Sequence, residues 1–163
     1  MTTETDSTSD ARPLSRAASS ARLIVCERRG DWAMALRREL EAAGPRVHET
    51  RSVAECWDML AGRPASFVVA ELTRLSAKAL LARMAWLERD FPWARVAVVA
   101  ERSFSWSEWG VREAGAVYFT VSPRQLGPLA SLAVRHLAAA PRPRLSLTER
   151  IWADLPWKRN DGG

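Results

Sequence analysis

Lysine is almost missing from this chain. Only Lys78 and Lys158 are lysine among the 24 basic residues, and the other 22 are arginine. Against 19 acidic residues the formal net charge is +5, which at first suggests a polyanionic partner. The arginines, however, are spread along the chain and mixed with acids instead of forming one stripe. Such usage beside abundant alanine is what a GC-rich coding bias produces. A nucleic-acid-associated regulator using its Arg-rich surface therefore stands as the alternative reading only. Histidine and cysteine are equally scarce, with His48, His136, Cys26 and Cys56 the full set. These four offer no metal-ligand spacing, no nucleophile–base set and no disulfide framework, so both thiols are read as reduced core residues and both imidazoles as surface groups. Gly-rich phosphate loops are absent, and Gly30-Asp31 is too short for a dinucleotide fingerprint. Apolar runs approaching the roughly 20 residues that span a bilayer are lacking, as is a signal-peptide core. The expectation is a cytoplasmic protein that is not an enzyme, with no catalytic residue, no cofactor, no metal and no membrane span.

What the sequence does contain is four short apolar runs, each ending on a polar residue. They are Leu23-Ile24-Val25-Cys26-Glu27, Phe67-Val68-Val69-Ala70-Glu71, Val96-Ala97-Val98-Val99-Ala100-Glu101 and Val117-Tyr118-Phe119-Thr120-Val121-Ser122. Continuous apolar runs of this length suit strands buried on both faces of a parallel sheet. Helical patterns separate them, so the chain reads as repeated βα units: an α/β, doubly wound, five-stranded parallel sheet flanked by five helices. In such sheets the site lies at the carboxyl ends of the strands, where Glu27, Glu71, Glu101 and Ser122 fall.

Residues 1–20 are rich in Ser, Thr and Ala with few large apolar residues, and read as a disordered tail. The domain spans residues 21–140. Its first strand covers residues 22–27. The first helix follows with Asp31 as N-cap and a Trp32, Leu36, Leu40 stripe. A weak, edge-like second strand covers residues 46–50. Ser52-Val53-Ala54-Glu55 is a capping box for the second helix, which ends at Gly62-Arg63-Pro64. The third strand spans residues 66–71, and the third helix carries Leu80, Leu81, Met84 and Leu87 up to Phe91-Pro92. The fourth strand spans residues 95–100. Ser105-Trp106-Ser107-Glu108 is a second capping box, opening the fourth helix. The fifth strand spans residues 116–121 and the fifth helix residues 128–139. Residues 141–163 form a Pro-rich hinge and a short amphipathic segment, in which Leu147, Ile151 and Leu155 make a stripe with Trp152 alongside and Trp157 beyond. A helix of about twelve residues is marginal alone, so this segment should form only against a surface.

One family shares this order of elements. Residues 22–139 resemble the receiver domain of bacterial two-component response regulators, of flavodoxin-like fold. The resemblance rests on Ala114-Gly115-Ala116 closing the fourth helix, then the fifth strand and Ser122-Pro123, together with the separation of the first and third strands. It implies a phosphoacceptor pocket, and here every chemical position of that pocket is altered. The family's acidic, Mg²⁺-binding pair at the end of the first strand reads Glu27-Arg28, which sets a guanidinium where the cation needs an oxygen ligand. The phosphoacceptor Asp is Glu71, one methylene longer, which spoils in-line geometry for phosphoryl transfer. The hydroxyl residue ending the fourth strand is Ala100. The Lys of the Lys-Pro pair is Ser122, leaving Pro123. The chain is thus read as a pseudo-receiver.

Glu71 has three readings: a mimic of a phosphorylated Asp, an ion pair with Arg28 (the preferred one), or a solvated carboxylate. The resemblance also implies an output face on the fourth helix, fifth strand and fifth helix, with an aromatic switch position at Phe119. A 100° step places Trp109 nearly opposite the core and Trp106 on the flank. Those indoles are either interface anchors or a surface covered by the C-terminal tail. The expected partner is a protein, with a second copy of the chain among the candidates. The expected contact residues are Trp106, Trp109, Phe119, Ile151, Trp152, Leu155 and Trp157.

Overall fold

The structure, a computed structural model, describes residues 21–40 and 44–141. Five strands form one sheet, β1 (Leu23–Cys26), β2 (Val47–Thr50), β3 (Phe67–Leu72), β4 (Arg95–Ala100) and β5 (Tyr118–Thr120), all parallel, in the order β2-β1-β3-β4-β5. The helices are α1 (Asp31–Glu39), α2 (Val53–Gly62), α3 (Ala77–Met84), α4 (Leu87–Asp90) and α5 (Glu108–Glu113) in the crossovers, and α6 (Gly127–Ala139) after the last strand. A 3-10 turn, Arg102–Ser107, leads into α5.

Two apolar layers explain the continuous runs in the sequence. Leu23, Val25, Phe67, Val69, Ala97 and Val99 face α1 and α6, against Trp32, Leu36, Leu129 and Ala133. The intervening Ile24, Val68, Val96 and Val98 face the other helices, against Trp57, Leu60, Leu80, Met84 and Val111. A strand buried on both sides has no polar face to show. Each large side chain taken out of water in these layers stabilises the fold by about 1.5–3 kcal/mol.

Three expectations need correction. The third predicted helix is two: the chain tightens at Trp86, whose N–H bonds back three residues to the Arg83 carbonyl at 3.3 Å, and α4 then turns Leu87 onto the core. The apolar spacing Leu80, Met84, Leu87 runs through this break unchanged, so periodicity alone does not reveal it. Among the described residues the sheet therefore has six helices around it, not five. Next, the box at Ser105–Glu108 does not form. The Glu108 carboxylate pairs with Arg112 at 2.9 Å, and α5 begins only at Glu108 with no side-chain cap. By contrast, Ser52 Oγ does accept the Glu55 N–H at 3.1 Å, while the Glu55 carboxylate reaches one residue further back, to the Arg51 N–H at 2.8 Å.

The third correction concerns His136, read from sequence as a surface group. It is half-buried on Phe67, its ring centroid 5.5 Å away, and its Nε2 lies 2.9 Å from the Ala65 carbonyl oxygen. Among the described residues no helix is long and apolar enough to cross a membrane. The expected disordered tail at residues 1–20 and the segment carrying Ile151, Trp152, Leu155 and Trp157 lie outside the described residues.

Candidate functional site

The carboxyl ends of β1 and β3 border an open cleft of about 440 Å³, lined among others by Cys26, Glu27, Arg28, Arg51, Glu71 and Ser76. A second cleft, of about 470 Å³, continues past Arg28 and Glu71 to Arg29 and Glu101. The strand ends thus meet where a doubly wound sheet places its site.

Glu27 does not face this space as a free ligand. It is only 2 % exposed, and its Oε2 and Oε1 accept the backbone N–H groups of Trp32 at 2.9 Å and Ala33 at 2.6 Å. These are unpaired donors of the first turn of α1, and a carboxylate there is favoured by both the hydrogen bonds and the helix dipole. Gly30 makes the approach feasible, since its φ of 96° turns the chain sharply between strand and helix, a region L residues rarely adopt. Asp31, the cap expected from sequence, gives way to an acid five residues before the helix's second residue.

Glu71 is likewise engaged. Its Oε2 accepts the backbone N–H of Arg28 at 3.2 Å, and no ion pair joins the two side chains. The expected Arg28–Glu71 salt bridge is corrected accordingly: the backbone donor lies in the strand-end loop beside the carboxylate, while the Arg28 side chain is exposed. Cations and anions pair on the neighbouring strand instead. Arg37 and Arg51 both reach Glu49, at 2.5 and 2.7 Å, and the Arg37 hydrogen bond holds the Glu49 carboxyl below its usual range.

The floor of the cleft holds groups that sequence reasoning missed. Thr73 Oγ1 accepts the Ser76 N–H at 3.1 Å, and Ser76 Oγ accepts the Thr73 N–H at 2.9 Å while donating to the Glu71 carbonyl at 2.9 Å. This is a reciprocal cap leading into α3, with Ser in place of the Glu or Gln that makes such boxes recognisable. Beneath it, Cys26 and Cys56 are both buried free thiols. They interact with each other: the Cys56 contact lowers Cys26, while that contact and burial push Cys56 far up.

The remaining positions stand apart. Ala100 is fully buried at the end of β4, Ser122 directs its N–H to Thr120 Oγ1 at 3.2 Å, and Pro123 is exposed; none of the three lines either cleft. The fold implies a divalent cation at the strand ends, and the residues present do not fit one. Both Glu27 oxygens hold backbone donors, Glu71 holds another, and a guanidinium stands at position 28.

Before and within α5, Trp106 and Trp109 are 79 % and 74 % exposed. Phe104 stacks on Trp106 with centroids 6.4 Å apart. A shallow groove of about 360 Å³ runs past both indoles to Leu72, Ala77 and Leu81. Phe119, expected on this face, is buried beneath it in the core with Val111. It supports α5 from below and offers no surface.

No protein-family model matches the chain, and no curated protein matches it. Solved structures do. A response regulator from Thermotoga maritima superposes with a TM-score of 0.58 at 18% identity, covering 73% of this chain and 99% of its own. A CheY-like protein (tadZ) from Pseudomonas aeruginosa PAO1 gives 0.57 at 18% identity, covering 72% and 99%. A pilus assembly-related protein from Burkholderia pseudomallei K96243 gives 0.52 at 19% identity, covering 76% and 93%. At this identity the likeness speaks of architecture alone, and by that measure the chain has the fold of a CheY-like receiver domain.

Proposed function

We propose that this receiver-fold domain is a signalling or scaffolding module that does not switch by phosphorylation and acts by binding a protein. The observation that carries the reading is the fate of Glu27. A buried carboxylate already satisfying two backbone donors at the helix N-terminus is a poor ligand for a metal ion. Arg28 at the mouth and Glu71 on a backbone N–H act in the same sense. Binding is assigned to the face of α5 that carries Trp106 and Trp109, because large exposed indoles beside an apolar groove are characteristic interface anchors. The segment with Ile151, Trp152, Leu155 and Trp157 is proposed as a second contact, docking by its apolar stripe in the helix-in-groove manner.

The test has two arms. Incubation with a small acyl-phosphate donor and Mg²⁺, followed by intact mass, should show no phosphoryl adduct; stoichiometric modification of Glu71 overturns the first half. Cross-linked partner capture should then be lost in Trp106→Ala/Trp109→Ala and in a chain lacking residues 141–163, and kept in Trp86→Ala. Capture indifferent to both changes overturns the second half.

A further inference from the structure

The end of the sheet opposite the clefts carries a cluster of cations with no acid among the described residues there. Arg22 and Arg46 immediately precede β1 and β2, and the register Leu23↔Val47, Ile24↔His48 sets them side by side on adjacent strands. Neighbouring strands lie about 4.8 Å apart, so the two Arg backbones start almost in contact. Strand alternation fixes their direction. Leu23 and Val47 face α1 and α6, so Arg22, Arg46 and His48, which differ from them by one position, all project on the α2 side. Arg63 ends α2 over that same face and is half-buried there, its backbone carbonyl taking the Ser66 N–H at 3.1 Å.

Three guanidiniums and an imidazole thus converge on one corner. Among the described residues no acid pairs with them. Among the described residues the ion-paired arginines are Arg37, Arg51, Arg89 and Arg112, none of them in this corner. Burial first, and then the charges of Arg22, Arg46 and Arg63, hold the His48 imidazole below the ordinary range. Burial and Arg22 also press Arg63 downward. The C-terminus of α2 sets a partial negative charge beside Arg63. Like charges held this close repel, and folding brings them together, so an external anion has a preformed place to bind.

We propose that Arg22, Arg46, Arg63 and His48 form a binding site for a phosphate group. A tetrahedral oxyanion can engage several planar Arg forks at once, each in bidentate geometry, and can take a further hydrogen bond from His48 when that ring is protonated. A chloride or a single carboxylate leaves most of those donors unused. The phosphate group can belong to a small free phosphate or to a nucleic-acid backbone; the chemistry is shared, and the test separates the sources. This site is independent of the protein-binding reading, which concerns the opposite end of the sheet and α5.

The experiment follows the ring signals of His48 by NMR in the full chain. Inorganic phosphate is added at pH 6.5 with chloride holding the ionic strength constant, and the His136 ring serves as internal reference. The expected result is a saturable His48 shift, with His136 unmoved. Arg22→Gln and Arg63→Gln should each weaken binding by about tenfold, the effect of losing one charge-assisted contact, while Arg124→Gln leaves it unchanged. The Arg22 side chain can be replaced safely, because its structural bond is the backbone N–H to Ser66 Oγ at 2.9 Å. A parallel titration uses a short single-stranded DNA. Tighter binding at His48 that collapses with added salt assigns the phosphate to a nucleic-acid backbone; saturation by inorganic phosphate alone assigns it to a small ligand. A shift that never saturates, that moves both histidines alike, or that survives Arg22→Gln and Arg63→Gln overturns the proposal.

Discussion

Glu27 and Ala33 are joined by a 2.6 Å hydrogen bond from the helix backbone to the strand-end carboxylate, buried at the hinge between β1 and α1. Its second oxygen takes the Trp32 N–H at 2.9 Å. The bond turns what reads as a pocket acid into a clamp between the first two elements of the domain. Local chemistry and function are linked here by burial: the carboxylate is 2 % exposed and turned to the helix N-terminus, so a cation would compete with two backbone donors for it.

Replacing that clamp should be costly. Glu27→Ala strands two buried N–H groups, and loss of a cap plus an unsatisfied buried donor costs about 2–3 kcal/mol. For a domain of this size that is a fall of roughly 10 °C in Tm. Glu27→Asp, one methylene too short to reach both donors, should fall in between. A thermal melt of Glu27→Ala within 2–3 °C of the parent, on the order of 0.5–1 kcal/mol, would show that the carboxylate is not structural.

Arg28 should behave in the opposite way. Its contribution to the site is a backbone N–H, and its side chain is exposed and outside every ion pair in the described residues. Arg28→Ala therefore keeps the bond to Glu71 and should change stability by less than about 0.5 kcal/mol. Urea unfolding measures this directly; a loss well above that value would restore the salt bridge that the sequence suggested.

The contrast between Glu27 and Arg28 shows how far the sequence can be read. Run length was enough for the four strands buried on both faces, because a strand with Val68 facing one layer and Val69 the other leaves an unbroken apolar signature, while the edge strand β2 left only a weak pattern. Elements whose caps follow the common chemistry were also legible, as at Ser52. The placement of Glu27, Arg28 and Glu71 at the strand ends was legible, while their bonding was not. Which way the Glu27 carboxylate turns depends on the left-handed Gly30 and on where the first turn of α1 lies, and both are properties of the folded chain. The Thr73–Ser76 cap was hidden by its unusual second residue, and the acid-free corner at Arg22 by the fact that its members lie up to 41 positions apart in a chain rich in arginine throughout.

The α5 face separates binding from stability. Trp106 and Trp109 are largely exposed, so Ala at either position should leave the Tm within about 2 °C, as is usual for surface substitutions. Phe119 lies 7 % exposed in the core, and Phe119→Ala should cost about 3–5 kcal/mol by cavity formation. Calorimetry on the three variants checks this. If the two indole variants melt as early as the Phe119 variant, the indoles are structural and the assignment of this face to a partner fails.

The last prediction concerns pH. Burial is the largest influence on both His48 and His136 and lowers each below the ordinary 6.5; at His48 the charges of Arg22, Arg46 and Arg63 add to it, and at His136 that of Arg95. The Ala65 carbonyl works the other way at His136 without reversing the direction. An unfolded chain therefore binds these protons at a higher pH than the native one. Wherever the unfolded state holds more protons, stability rises with pH, so Tm should be level between about pH 7.5 and 8, below the window where the thiols titrate, and fall as the pH drops through 6.5 towards the folded values. Glu49, held low chiefly by Arg37, loses its contribution only below its own ordinary value of 4.5, in a separate window. His48→Gln with His136→Asn should flatten the decline between pH 7 and 5 and leave the acid limb below pH 4.5 intact. Phosphate should flatten it too, but through His48 alone, since an anion between Arg22, Arg46 and Arg63 removes the repulsion that resists its protonation. A decline between pH 7 and 5 that persists unchanged in the double variant would place its origin in groups other than these two rings.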